Sequence, residues 1–161
     1  MSSIGLVAIR SAKYPNAFLR MDGADVNKHN GGGSGTVNCQ FYNQKDPNVN
    51  NRLPVASIGN YEVFDLIPLG SRRGAYAIRS LNFPNAFLRI DGSNVHPSQS
   101  GSGLVNCQYY SSGDYPTDNS ADYEHFIVKE VNERGPNPPY YLIQSGHFQG
   151  IFAYRWFQRD V

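Results

Sequence analysis

The side chains best suited to chemistry are few in this sequence and widely spaced. Cys39 and Cys107 and the four histidines His29, His96, His125 and His147 show neither Cys-x-x-Cys nor His-x-x-x-His spacing, so no metal site and no cofactor are expected. Each cysteine lies in an apolar alternation, which reads as a free thiol facing a core where the thiolate is disfavoured. No Ser-His-Asp or Cys-His grouping recurs, and the chain is not expected to be an enzyme. Gly31-Gly-Gly-Ser-Gly35 lacks the Lys-Ser/Thr of a phosphate loop and reads as a flexible hairpin connection.

A different chemistry is written twice. Arg20, Asp22, Asn38, Gln40 and Tyr42 return in the same order as Arg89, Asp91, Asn106, Gln108 and Tyr110. Arg, Asp, Asn and Gln carry the fixed planar donors and acceptors that hydroxyl groups need, and a tyrosine ring offers a face for the C–H side of a sugar. The same residues have a plain structural use, because Asp before Gly commonly bonds its own turn and Asn38 is suited to tying down the Gly-rich connection.

These residues are positioned by an internal repeat. Ala8-Ile-Arg-Ser-Ala-Lys-Tyr-Pro-Asn-Ala-Phe-Leu-Arg-Met-Asp-Gly23 recurs about 69 residues later as Ala77-Ile-Arg-Ser-Leu-Asn-Phe-Pro-Asn-Ala-Phe-Leu-Arg-Ile-Asp-Gly92. The match continues through Gly35–Tyr42 against Gly103–Tyr110 and, more loosely, Tyr61–Leu66 against Tyr123–Val128. Each unit holds four strand-like runs of period two, separated by Tyr/Phe-Pro-Asn, by Asp-Gly with a Gly/Ser-rich connection, and by a longer polar loop. The alternation predicts Leu19, Met21, Val37, Cys39 and Phe41 facing in, with Leu88, Ile90, Val105, Cys107 and Tyr109 their counterparts, while the polar sets face out. No stretch has a helical apolar period, so essentially no helix is expected.

A cut-down third copy starts at Tyr141-Leu-Ile-Gln-Ser145, which echoes Tyr76-Ala-Ile-Arg-Ser80. Either Ile151–Tyr154 is a second-type strand with the rest missing, or Tyr154-Arg-Trp-Phe157 matches Tyr123-Glu-His-Phe126 and a hairpin has been deleted. The second alignment is preferred, because it keeps six barrel strands and leaves no open edge. Trp156, with Phe148, Phe152, Tyr154 and Phe157, is expected to plug the place of the missing hairpin.

Two four-strand units and a shortened third with these motifs resemble the β-trefoil superfamily, and within it the ricin-B-like lectins of fungal type and arabinose-binding trefoil modules. The resemblance implies an all-β fold, a β-trefoil with two intact four-strand lobes (1–74 and 75–139) and a shortened third lobe (140–161). It also implies carbohydrate binding, one shallow site per intact lobe, with glycans or glycoproteins as partners. Leu19 and Leu88 stand where ricin-like lobes place a sugar-binding Asp, and Asn38-Cys39-Gln40-Phe41 and Asn106-Cys107-Gln108-Tyr109 stand in place of Gln-x-Trp, so galactose specificity does not carry over.

Alternatives come from other features. Loops 43–57 and 111–122 differ between the copies, as a trefoil protease inhibitor's contact loops would, and a fascin-like protein-interaction module is a third reading. Lys plus Arg number 14 against 13 Asp plus Glu, so no long-range field draws nucleic acid or an anionic membrane, and neither partner is expected. No signal-like start and no run of about 20 apolar residues is present, which predicts a cytoplasmic protein without membrane insertion, exported if at all by an unconventional route. The short third lobe makes a homodimer through that lobe an expectation as well.

Overall fold

Runs rich in Val, Ile, Phe, Tyr and Leu, broken by Gly, Pro, Asn and Asp, favour short strands over helices. The computed structural model describes residues 5–11, 14, 16–41, 60–70, 74–96, 101–117, 123–131, 140–148, 152–155 and 157–158. Its strands are β1 (Leu6–Ile9), β2 (Ala17–Asp22), β3 (Thr36–Phe41), β4 (Val63–Pro68), β5 (Ala75–Ser80), β6 (Ala86–Asp91), β7 (Leu104–Tyr109), β8 (Phe126–Val131), β9 (Tyr140–Ser145), β10 (Phe152–Arg155) and β11 (Phe157–Gln158). The fold is all-β, and the described residues contain no α-helix. Tyr61 and Glu62, expected at the head of a strand, instead form a 3-10 turn over Asn60–Glu62 that leads into β4.

Pairing is antiparallel throughout. β4 lies between β1 and β5, and β8 lies between β5 and β9. β10 pairs with β9 and β11 pairs with β1, with one residue between them, so the terminal segment joins both ends of the sheet order. The hairpins β2–β3 and β6–β7 project from this ring in the same register, Leu19 opposite Cys39 and Leu88 opposite Cys107.

One turn is built three times. The hydroxyls of Ser11, Ser80 and Ser145 accept hydrogen bonds from the amides of Tyr14 (3.1 Å), Phe83 (3.1 Å) and Phe148 (3.0 Å). The Leu81 amide donates to the Val63 carbonyl at 3.0 Å, and the Gly146 amide donates likewise to the His125 carbonyl at 2.7 Å. Local Ser-to-backbone bonding of this kind fixes where a strand ends and how the chain leaves it.

The core gathers Val7, Ile9, Met21, Phe64, Leu66, Ile78, Leu88, Ile90, Cys107, Phe126 and Ile143. Burying each of the larger side chains contributes about 2–3 kcal/mol. Leu19, Val37 and Tyr109 pack against this cluster half-buried. Three residues expected inside are not: Cys39 is exposed, Phe41 is 64% exposed and Val105 36% exposed. Strand alternation decides which way a side chain points, but burial also needs something on the other side, and β3 lacks that cover.

Candidate functional site

The repeated Arg and Asp first serve the hairpins themselves. Asp22 Oδ1 accepts the Ala24 amide at 3.2 Å, and Asp91 Oδ1 accepts the Ser93 amide at 3.0 Å and the Ser93 hydroxyl at 2.7 Å. Those bonds hold the Asp91 carboxyl below its usual range, the Ser93 hydroxyl contributing most and the Ser93 amide next, with Arg89 adding to them. Each Arg then pairs with its Asp at 3.1 Å and reaches a buried glutamate from the turn before the next ring strand: Arg20 to Glu62 at 3.9 Å, Arg89 to Glu124 at 3.6 Å. Each guanidinium also stacks 4.6 Å from a tyrosine ring, Tyr61 or Tyr123. The Asp-Arg-Glu-Tyr clamp therefore locks hairpin to ring in both repeats. Sequence reasoning missed Glu62, Glu124, Tyr61 and Tyr123 as partners, although Tyr-Glu recurs in step with the arginines.

In the second repeat the outward face is closed. Arg89 is 2%, Asn106 7% and Gln108 1% exposed, which corrects the expectation of an open polar face there. The cover is the Gly-rich run of the first repeat. Ser34 and Cys107 exchange both backbone bonds, Ser34 N–H to Cys107 O at 2.7 Å and Cys107 N–H to Ser34 O at 2.9 Å. The Asn106 amide donates to the Gly32 carbonyl at 2.9 Å, and Gln108 Oε1 accepts the Asn30 amide at 3.3 Å. Gly33, at φ 72°, lies so close that a Cβ there would overlap the Asn106 side chain. The run expected as a flexible connection is thus a strap, and these amides serve the strap.

In the first repeat the same Asn-Cys-Gln sequence is bare. Asn38, Cys39 and Gln40 are all exposed, and the outer edge of β3 pairs with no other strand among the described residues. Arg20 and Asp22 border this face with side chains 23% and 33% exposed, Arg20 lying directly across from Asn38. Tyr42 lies outside the described residues. Its counterpart Tyr110 is half-buried, donating its hydroxyl to Glu124 at 3.0 Å and packing edge-to-face with His29 and Phe87.

The remaining candidates are distributed. Burial, with the Asp22 charge a smaller cause, pushes the Cys107 thiol up to about 12. Both cysteines are free, Cys107 buried as expected and Cys39 exposed. Among the described residues no group of His, Cys, Asp or Glu is arranged to hold a metal. Phe148 packs against Tyr123 at 5.0 Å as Phe83 packs against Tyr61 at 5.4 Å, and His147 lies against both Tyr123 (4.9 Å) and Phe148 (4.4 Å). Loop 43–57 and Trp156 lie outside the described residues, as do residues 118–122 of the other loop, whose Ser111–Asp114 segment is an exposed turn.

Comparison with known proteins adds little to this geometry. No protein-family profile matches the sequence, and no curated protein matches it. A solved structure described as that of a mosquitocidal holotoxin is similar over 88% of this chain at 14% identity, with a TM-score of 0.49. This chain spans 12% of the length of that toxin chain.

Proposed function

We propose that this chain is a β-trefoil that binds carbohydrate through the bare hairpin of its first repeat and catalyses no reaction. The trefoil reading is supported by the threefold Ser turn and by the terminal segment, which pairs with β9 and β1 as β4 pairs with β1 and β5. That pairing favours a third lobe, 140–161, that has lost its hairpin and kept its ring strands.

A sugar site in each lobe does not fit, because the second set of amides is already bonded to the strap. The observation that carries the reading is the contrast between identical residues: Asn38 and Gln40 are exposed beside Asp22 and Arg20, whereas Asn106 and Gln108 are buried. Exposed side-chain amides flanked by a carboxylate and a guanidinium offer donors and acceptors in one shallow patch, which suits weak recognition of hydroxyls. A buried thiol pushed up to about 12 is poorly suited to nucleophilic work.

A glycan array with the wild-type chain and with Asn38→Ala/Gln40→Ala tests this. Neither substitution touches the clamp, so the double variant keeps the wild-type melting temperature and loses the array signal. A silent wild-type array, or undiminished binding by the variant, overturns the sugar reading.

A further inference from the structure

The two repeats form an unfinished series of straps and receiving edges. The first repeat's strap, Asn30–Ser34, lies on the second repeat's edge at Asn106-Cys107-Gln108. The second repeat carries the equivalent sequence, with Gly101-Ser102 in the place of Gly33-Ser34, and the first carries the equivalent edge, Asn38-Cys39-Gln40. Among its described residues the shortened third copy supplies neither an edge for the one nor a strap for the other.

We infer that a second copy of this chain completes both, the Gly/Ser strap of each copy lying on the β3 edge of its partner in a two-fold dimer. The receiving edge keeps the chemistry of the filled one. Leu19 faces Cys39 as Leu88 faces Cys107, so the Cys39 N–H and C=O point away from β2 as those of Cys107 point away from β6 toward Ser34. Asn and Gln flank the cysteine in both.

At Gly101, the described glycine of the second strap, the backbone matches that of the filled one. Gly101 has φ 71°, against 72° for its counterpart Gly33, but a Cβ at Gly101 would meet nothing within 4 Å. The turn at Gly101 is present without the contact that Gly33 makes. Exposed strand edges are templates for another chain, and edges that are meant to stay single are usually charged or bulged. This one shows Asn38, Cys39, Gln40 and a 64% exposed Phe41.

Apolar residues flank both halves: Leu104, 53% exposed, follows the strap, while the 64% exposed Phe41 ends the edge strand. Two-fold symmetry makes each contact twice, which is how an isologous interface accumulates area from a small patch. The inference rests on the repeat geometry and does not require sugar binding. The dimer and the sugar compete for one face, since the strap would take the Asn38 and Gln40 amides.

Sedimentation velocity of the full chain across a dilution series is the first readout, and a concentration-dependent monomer–dimer shift is expected. Ser102→Cys supplies the second. Residues that exchange both bonds across antiparallel strands have Cα atoms about 5.5 Å apart, within disulfide range. Under mild oxidation Ser102→Cys should therefore cross-link to Cys39 of another copy about tenfold faster than Ser111→Cys, a control on an exposed turn, because the thiols are held together instead of meeting by diffusion. Peptide mapping assigns the bond.

A chain that stays monomeric at every concentration overturns the dimer. So does cross-linking no faster than the control, or a Cys39 amide protected from exchange in the monomer, which would mean that the chain covers its own edge. A silent glycan array leaves the dimer standing, and a monomer that binds glycans leaves the sugar reading standing.

Discussion

Arg20 and Arg89 make the same contacts with different energetic weight. The Arg89 side chain is 3% exposed and lies 3.6 Å from a Glu124 side chain at 6%, whereas Arg20 is 23% exposed and lies 3.9 Å from a Glu62 side chain at 4%, so the difference is in the solvation of the arginine. Removing one partner of a buried pair leaves an uncompensated charge and costs about 3–5 kcal/mol, while a partly solvated pair contributes about 1 kcal/mol or less. Urea denaturation should therefore find Arg89→Ala far more destabilised than Arg20→Ala; equal losses would show that burial does not set the clamp's strength. The Asp91 carboxyl makes the clamp acid-sensitive. Its folded pKa lies below the ordinary 3.8, so its contribution is fully present above that value and is lost as pH falls through the folded one. The stability difference between the wild type and Asp91→Asn should shrink as melting curves are taken from pH 5 down toward pH 2; a gap that does not change with pH would remove the carboxylate from the account. The thiols report burial directly. Cys39 is exposed and Cys107 is fully buried with its thiol pushed up to about 12, so a thiol reagent at neutral pH should modify one equivalent quickly and the second only on unfolding. Two fast equivalents would mean that the strap opens readily.

At the scale of elements, the strap distinguishes two glycines that the sequence treats alike. A side chain at a positive φ near 70° costs about 1–2 kcal/mol wherever it stands. At Gly33 the added Cβ also runs into an Asn106 that is 7% exposed and bonded to Gly32, so Gly33→Ala should cost several kcal/mol and Gly101→Ala only the backbone part. Thermal melts of the two variants decide it, and equal losses would detach the strap from β7. The same contrast marks where sequence reading stopped. Strand runs, Asp-Gly turns and the inward Met21, Leu88, Ile90 and Cys107 were legible because they follow from period two and turn chemistry within one repeat. The burial of Asn106 and Gln108 was not, since Asn-Cys-Gln is identical in both repeats and what separates them is a contact 74 to 78 residues away. The arginine clamps were hidden in the same way, by partners more than thirty residues downstream.

At the scale of the whole molecule, stability depends on how the ring closes. The terminal segment supplies Gln158 and Phe157 to Ala8 and Ile9 at one end of the sheet order, and Phe152, Ala153 and Arg155 to Gln144, Ile143 and Leu142 at the other. At about 1 kcal/mol net for each of these pairs, the closure is comparable with the lower end of the 5–15 kcal/mol that holds a typical domain together. Deleting residues 152–161 also uncovers two strand edges at once, and such edges recruit other chains. The truncated chain should therefore lose its cooperative melting transition near 25 °C or enter large aggregates, whereas Asn38→Ala/Gln40→Ala, which alters only a bare hairpin, should melt as the wild type does. Calorimetry with light scattering separates the outcomes. A truncated chain that stays monodisperse with an unchanged transition would mean that five ring strands suffice, and the last ten residues would then have to be explained by something other than closing the sheet.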